Sequence, residues 1–495
     1  MAKKQQAAPL DQVLEQEGGA ILDDLLSTGI KPRDDAAKEY GKDLIKNLVG
    51  QLLDPGTKVQ KGVTKTINAR IAAIDELLSA QLNEIMHHED FQKLEGSWRG
   101  LNHLIMSSET GESMKIRVMN AGKKELLRDF QSASEFTESA LWKKIYEYEF
   151  GLYGGDPYGA LIGDYYFDKG PQDVELMEQV GQVAAAAHAP FVAAPSPAMF
   201  GLESYTQMPD PRDLAKIFDK SNPENTKWLS FRDSEDSRFV SLTLPRVLGR
   251  LPYGKDNPCE EFDYQEDVDG TDHDKYLWTN AAFSFAERLT DAFAKHHWCV
   301  AIRGPEGGGL VSGLPVHTFK SREGDVGSKC PTEVLIPDTR EKELSDLGFI
   351  PLIHCKNTDY AAFFGANSVQ RPKKYDDAAA TANAKLSTQT PYLMTTSRIA
   401  HYMKAICRDK VGSFQSRTEC EKFLNNWISN YVLAQDEANQ EAKAKRPLRE
   451  ARIDVTDDKA RPGCYKAIAY LKPHFQLEEL NVSLRLVADL PPAAK

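Results

Sequence analysis

Near the end of the chain, Leu480, Val482, Leu484, Leu486, Ala488 and Leu490 are apolar. Of the five residues between them, only Val487 is not polar. This period of two predicts a β-strand, which sends alternate residues to opposite faces. At strand rise, residues 480–490 span roughly 36 Å. Pro491-Pro492 ends the run, because proline has no N–H to give a ladder. Such a strand needs a partner, either inside its own domain or in another copy of the chain. The second alternative describes an assembly protein.

Earlier the pattern is helical. Ile67, Ile71, Ile74, Leu78, Leu82 and Ile85 recur at spacings of 4, 3, 4, 4 and 3, one apolar stripe along a helix. The stripe is either internal core or the face on which a partner docks. A second helix is predicted over 90–106. Residues 1–60 read as an arm with two short amphipathic segments, 10–26 and 36–53, separated by Gly29-Ile30-Lys31-Pro32. Neither can build a core alone. Asp54-Pro55-Gly56 closes the arm.

From Met114 the period changes. Residues 114–119 alternate like a strand, and 159–167 is rich in aromatic and β-branched residues. A helix is predicted over 174–187 and a short buried strand over 191–194. Further strands are predicted at 240–244, 298–302 and 314–319, with a helix over 277–295. Alternating strands and helices predict an α/β core. Beyond residue 370 the character shifts. Residues 378–386 carry few large apolar groups, and helices are predicted over 393–407 and 418–445. In the latter, Phe423, Leu424, Trp427, Ile428 and Tyr431 would pack inward. Its charged end, with Glu437, Glu441, Lys443 and Lys445, would stay solvated or meet another chain. Strands at 451–455, 465–471 and 480–490 finish the chain, separated by turns at Arg461-Pro462-Gly463 and Lys472-Pro473. The fold class is α/β (α+β) in three parts: an arm over 1–60, a core over 61–370 and a C-terminal domain over 371–495.

The length of 495 residues fits this, being too long for one typical core. With 41% hydrophobic and 27% charged residues, the composition is that of a soluble globular protein. A net charge of −12 argues against nucleic acid or an anionic membrane as the main partner. The most apolar run, Val183–Phe200, is broken by His188, Pro190, Pro195 and Pro197 and cannot span a bilayer. The first residues lack an apolar h-region, so no secretory signal is expected. Seven dispersed cysteines, none in a C-x-x-C, read as reduced thiols in a cytoplasm.

Catalytic and metal motifs fail in detail. His88-Glu89-Asp90-Phe91-Gln92 nearly matches a zinc-protease helix, but Gln92 stands where the second histidine must be. Asp267–Asp272 resembles a calcium loop, yet Gln265 and Tyr276 fall at the first and twelfth ligand positions. The wider segment 256–274 holds nine acidic residues and reads as an acidic surface loop. Gly304–Gly309 lacks the lysine and Ser/Thr of a phosphate loop and reads as a tight turn. His296, His297 and Cys299 fit a helix C-terminus leading into a strand. No catalytic residue, metal or cofactor is expected.

Several longer blocks, in order, carry a resemblance. They are His88-Glu-Asp-Phe-Gln-Lys-Leu-Glu-Gly-Ser-Trp98-Arg99-Gly-Leu, Gly154-Gly-Asp-Pro-Tyr-Gly159-Ala-Leu-Ile-Gly163-Asp and Phe191-Val-Ala-Ala-Pro-Ser-Pro-Ala-Met-Phe200. Leu244-Pro-Arg246-Val-Leu-Gly-Arg250-Leu-Pro-Tyr253-Gly, Asp346-Leu-Gly-Phe-Ile-Pro351-Leu and the closing strand follow. From about Ile67 to Leu490 the chain resembles the large subunit of the bacterial type VI secretion contractile sheath. The resemblance implies a multidomain, cytoplasmic structural protein, part of it like phage tail-sheath proteins. It implies pairing with a small sheath subunit and stacking of the heterodimers as six-fold rings around an inner tube. A baseplate and an AAA+ unfoldase that disassembles the contracted form are the other implied partners. Terminal segments of different protomers would interlace in a β-sheet, with 480–490 the inter-subunit strand. Glu437, Glu441, Lys443 and Lys445 become candidates for facing the tube. The competing readings are a soluble α/β enzyme, with Gly304–Gly309 and Gly154–Asp164 as pocket walls, and an adaptor that does not polymerise.

Overall fold

The computed structural model describes residues 35–52, 63–260, 262–320, 326–413, 416–435, 437–457 and 465–476. The predicted segments 10–26 and 480–490, with Leu480, Val482, Leu484, Leu486, Ala488 and Leu490, lie outside the described residues. The chain divides into two units, residues 1–81 with 260–264 and residues 82–259 with 265–495.

The first unit contains helix α1 (Asp35–Leu52) and helix α2 (Val63–Met86) as far as Gln81. No glycine or proline interrupts Val63–Met86, so the periodic stripe propagates as one helix. Ile67, Ile71, Ile74, Leu78 and Ile85 are exposed, and Leu82 is half-buried.

The second unit begins with α3 (Glu89–Met106) and α4 (Lys123–Ser132). A parallel core follows: β1 (Leu161–Phe167), α5 (Pro171–Ala187), β2 (Phe191–Pro195), α6 (Thr226–Asp233) and β3 (Val240–Leu244). Two short strands, β4 (Val247–Leu248) and β5 (Trp278–Thr279), pair antiparallel before α7 (Ala281–His296). Then come β6 (Leu310–Val311), β7 (Thr318–Lys320), β8 (Val326–Ser328), α8 (Asp338–Asp346), β9 (Phe349–His354) and β10 (Ala361–Phe363). The main sheet runs β1-β2-β3-β9-β10-β6, parallel from β1 to β9 and antiparallel beyond.

Period-two alternation explains why the sheet is covered on both faces. Phe167, Phe191, Leu242 and Phe349 join the core built with Val174, Met177 and Val180 of α5. Val192, Ile350 and Phe363 join the opposite core with Ala282, Phe285 and Leu289 of α7. Each fully buried phenylalanine of this kind contributes roughly 1.5–3 kcal/mol.

The C-terminal part carries α9 (Ala378–Ser387), α10 (Thr390–Asp409), α11 (Arg417–Ser429), α12 (Gln440–Lys445) and a long hairpin, β11 (Leu448–Asp457) and β12 (Tyr465–Pro473). Its core joins Leu424 and Ile428 of α11, Ile399 of α10 and Leu448, Ile453 and Val455 of β11 to Trp298 and Val300.

Four sequence expectations need correction. Residues 114–119 form no strand and join no ladder among the described residues. Residues 298–302 are not a strand. Their alternation is satisfied by two cores, Trp298 and Val300 in the C-terminal one and Ile302 in that of α7. Only the end of 314–319 pairs, as β7. The helix over 418–445 breaks after Ser429: Val432 bridges Leu448 of β11, and Leu433 donates to the Leu448 carbonyl. Tyr431-Val432-Leu433, with two poor helix formers, goes to the sheet instead. Asn439 then caps the separate helix α12 through a bond from Ala442 N.

Candidate functional site

The candidate site is the C-terminal hairpin. Its register pairs Ile453 with Ala469 and Val455 with Ala467 on one face, and Arg452 with Tyr470 and Asp454 with Ile468 on the other. The first face packs on α11, which is held by a capping box: Ser416 Oγ accepts from Glu419 N, and Glu419 Oε2 accepts from Ser416 N. On the other face Ile468 and Tyr470 are exposed.

The two edges of the hairpin differ. Along β11, Asn425 of α11 donates to Ile453 O at 2.7 Å and accepts from Ile453 N at 3.0 Å. Arg417 donates to Val455 O and Glu421 accepts from Val455 N, at 3.3 and 3.4 Å. Side chains of α11 thus stand in for a neighbouring strand. Along β12, the only ladder among the described residues is to β11. Beyond β12 the chain is anchored at Gln476, whose N donates to Tyr392 Oη and whose side chain bonds Val300 O and Arg303. In the sequence, residues 480–490 begin four positions after Gln476.

The other sequence candidates fall elsewhere. The apolar stripe of α2 is on the surface, as described above. Glu441 and Lys445 form an exposed i,i+4 ion pair at 2.7 Å, which holds the Glu441 carboxyl below its usual range. Glu437 is exposed and Lys443 half-buried. Of the residues expected to pack inward, Leu424 and Ile428 are buried, whereas Phe423 is exposed beneath Lys410 Nζ, 4.5 Å from its ring centre.

Residues that looked chemical serve local structure. His88 caps α3 by accepting from Asp90 N, and Gln92 donates to the Asp274 carbonyl at 2.8 Å. Asp269 accepts from Thr271 N and Oγ1, which brings its carboxyl down to about 2. Lys275 bridges Asp267 and Asp272. Gly304 and Gly308 adopt positive φ in a turn closed by Gly309 N to Gly304 O. Among the described residues, no group of three or more His, Cys, Asp or Glu could hold a metal ion. The block Gly154–Asp164 lines a cavity of about 1050 Å³, but Gly304–Gly309 is not part of its wall.

Sequence reading missed what the Arg246 and Arg250 block does. Arg246 grips Glu333 with two bonds of 2.6 Å, and His273 reaches the same carboxylate at 3.0 Å. Burial alone would raise the Glu333 carboxyl, but the bonds from Arg246 and His273 hold it below its usual range. Arg250 likewise joins Glu95 and Glu266, at 2.8 and 2.6 Å. Arginine followed four residues later by arginine, in an otherwise apolar block, was the available signal. α3 itself lies close on its neighbours, because a Cβ at Gly100 would sit 2.3 Å from the Phe283 ring and one at Gly96 2.9 Å from the Trp278 carbonyl oxygen.

Among the described residues, no helix is long and apolar enough to cross a membrane. Residues 68–370 match the EvpB/VC_A0108 tail sheath N-terminal domain, and residues 379–490 match the tail sheath gpW/gp25-like domain of the same family. The chain is 48% identical over 474 residues to the type VI secretion system sheath protein TssC1 of Pseudomonas aeruginosa strain PAO1, covering 95% of each chain. Among solved structures, it is similar to a chain of the anti-feeding prophage baseplate at 12% identity, covering 64% of this chain and 66% of that one, with a TM-score of 0.34. A second similar chain comes from the contracted PVC sheath complex of an extracellular contractile injection system, at 8% identity, 63% and 68% coverage and a TM-score of 0.34.

Proposed function

The chain belongs to the family of type VI secretion sheath large subunits, and on that premise we propose how it pairs, links to its neighbours and meets the other parts of the machine. It is a structural subunit of a contractile sheath and polymerises with other sheath subunits into a helical tube. It pairs with a small sheath subunit in the cytoplasm, and the heterodimers stack as six-fold rings around an inner tube on a baseplate. Contraction drives the tube and its effectors outward, and an AAA+ unfoldase later dismantles the spent sheath. The subunit does no covalent chemistry. The enzyme alternative has no support in the family membership, and Gly304–Gly309 is not part of the wall of the cavity that Gly154–Asp164 lines.

The observation that carries the linkage is the asymmetry of the C-terminal hairpin: β11 is closed by Asn425, while β12 has an unladdered edge among the described residues. An open edge next to a segment patterned as a strand fits strand addition between subunits. We assign Leu480, Val482, Leu484, Leu486, Ala488 and Leu490 to that inter-subunit strand. Contacts of this kind are heterologous and do not close, which yields a filament. Contraction is then a change between two arrangements of rigid bodies held by such links. The stripe Ile67, Ile71, Ile74, Leu78, Leu82 and Ile85, exposed except at the half-buried Leu82, is a docking face for the small subunit, and Glu437, Glu441, Lys443 and Lys445 face the inner tube. The three domains 1–60, 61–370 and 371–495 serve as arm, body and linking domain.

Co-expression with the small subunit followed by negative-stain microscopy tests the reading. Tubes are expected. A small complex with the partner and no filaments would speak for the adaptor, and a discrete oligomer with a ligandable pocket for the enzyme.

A further inference from the structure

His354 ends β9, where it pairs with Ala361 of β10. The turn between them, residues 355–360, is closed by Cys355 N to Tyr360 O at 3.1 Å and Thr358 N to Cys355 O at 3.2 Å, with Asn357 at a φ of 63°. The turn brings the Thr358 carbonyl to His354 Nε2 at 2.8 Å. A carbonyl accepts and cannot donate, so Nε2 carries the proton, and in the neutral ring Nδ1 is the base. Nδ1 is buried and meets no nitrogen or oxygen. The side chain bonded to this ring is Cys330, whose sulfur is left as the counterpart of Nδ1.

Backbone bonds fix the segment that carries Cys330. Lys329 N donates to His317 O at 2.8 Å, Leu248 N to Pro331 O at 2.8 Å and Glu333 N to Arg246 O at 2.9 Å, and Thr332 bridges Val247. Thr332 Oγ1 lies 3.1 Å from Cys330 Sγ and 3.1 Å from Val334 O, and Thr332 N also bonds the sulfur. A thiolate here accepts from the Thr332 hydroxyl, the Thr332 amide and a protonated His354 ring. Burial opposes that charge, yet the bonds from His354 and Thr332 outweigh it and hold the thiol below its ordinary value. Burial also opposes charge on the His354 ring, and its bonds to Cys330 and the Thr358 carbonyl hold the ring above its ordinary value. Both shifts favour the thiolate–imidazolium pair, the nucleophilic form of a cysteine. The neighbouring charged and titratable groups have partners of their own. Glu333 is taken by Arg246 and His273, Lys329 Nζ sits 4.8 Å from the Tyr276 ring centre, and Cys355 bonds Tyr360. Cys330 is half-buried, so part of it meets solvent. Cys299 is the opposite case: its thiol donates to Leu289 O at 3.5 Å, and burial pushes it up to about 12.

We propose that Cys330, with His354 as its proton partner, is a modification site that reacts with small two-electron oxidants of the hydrogen peroxide class. The thiolate sulfur attacks one peroxide oxygen and forms an S–O bond as the O–O bond breaks. The leaving hydroxide takes the proton of the His354 imidazolium and departs as water. Sulfur is oxidised by two electrons to a sulfenic acid, and the peroxide is reduced. A second thiol can then condense with the sulfenic acid, releasing water and leaving a reducible disulfide. The chemistry belongs to this subunit's own side chains and does not depend on how subunits assemble.

The test treats the full chain, co-expressed with the small subunit, with hydrogen peroxide in the presence of dimedone, which traps sulfenic acids. Mass spectrometry then measures the adduct at each cysteine over time. The reference is the same thiol in the chain unfolded in denaturant, where it titrates at its ordinary value of about 8.5. At pH 6 the folded chain should label at Cys330 more than tenfold faster than the unfolded chain. From pH 6 to pH 8 the folded rate should change less than the unfolded one. His354→Gln, which keeps a donor for the Thr358 carbonyl and removes the base, should lower the folded rate at pH 6 more than tenfold with circular dichroism unchanged. Labelling of Cys330 at pH 6 no faster than in the unfolded chain would overturn the proposal, as would adducts confined to other cysteines. A His354→Gln chain that folds and labels at the full rate would overturn it too. If that variant does not fold, the comparison of folded and unfolded parent chain decides alone.

Discussion

Asn425 of α11 and Ile453 of β11 exchange two hydrogen bonds, Nδ2 to O at 2.7 Å and N to Oδ1 at 3.0 Å. A side-chain amide has the donor and acceptor of a peptide, so it caps one edge of the hairpin as a neighbouring strand would. Replacing Asn425 with Leu leaves the Ile453 N–H and C=O unmet. The expected cost is about 1–3 kcal/mol for a partly buried pair. Chemical denaturation of the co-purified complex should show the lowered midpoint. A second open edge should also raise non-native association, seen by light scattering.

Arg246 and Glu333 make a different kind of lock. The Glu333 side chain has no exposed surface, so Arg246→Ala strands a buried carboxylate and should destabilise the subunit by about 3–5 kcal/mol. The same pair sets an acid limit. The Glu333 carboxyl is held below its unfolded value, so its contribution is complete above that value, near 4.3, and is lost as pH falls below it. Thermal melts between pH 6 and pH 3 should fall steeply for the parent. The fall should be shallower for Arg246→Met with Glu333→Leu, which removes the titrating pair.

Ile74 is 39% exposed on α2, in an apolar stripe with Ile67, Ile71 and Leu78, which are also exposed. Ile74→Asp should keep the chain folded and abolish recovery of the small subunit in pull-downs. Pairing at the level of the unaltered chain would remove the stripe from the interface.

Glu437 and Glu441 are exposed, and Glu441 already has Lys445 as a partner. Charge reversal at both should leave heterodimer recovery unchanged and reduce the number of tubes formed when the inner tube protein is present. Unchanged tube counts would mean that α12 serves only its own domain.

Much of the fold was readable where an element's burial leaves a plain mark in the sequence. The helices 90–106 and 174–187 and the strands 191–194 and 240–244 came out near their observed bounds, the helices from their amphipathic or apolar runs and the strands, buried throughout, as short apolar runs. β9 was missed. Phe349–Ile353 is apolar throughout, which carries no period, and Pro351 argues against a central strand. The proline is tolerated because it stands at the ladder end, paired with Leu244 on one side and beyond the last β10 partner, Leu352, on the other. Residues 298–302 misled in the opposite way, since alternation between two cores imitates a strand. Of the candidate site, the exposed stripe on α2 was legible as amphipathic, but not as unburied. The closure of β11 by Asn425 had no sequence signal, since it joins residues 28 positions apart.

The central claim is that residues following Gln476 link subunits rather than complete this subunit's own core. Truncation after Gln476, with the small subunit co-expressed, tests it directly. The anchors of Gln476 to Tyr392 and Val300 remain, so the hairpin keeps its last tether. Far-UV circular dichroism and recovery of the small subunit should match the full chain, while negative-stain microscopy shows no tubes. Normal tubes from the truncated chain, or a chain that unfolds, would contradict the account.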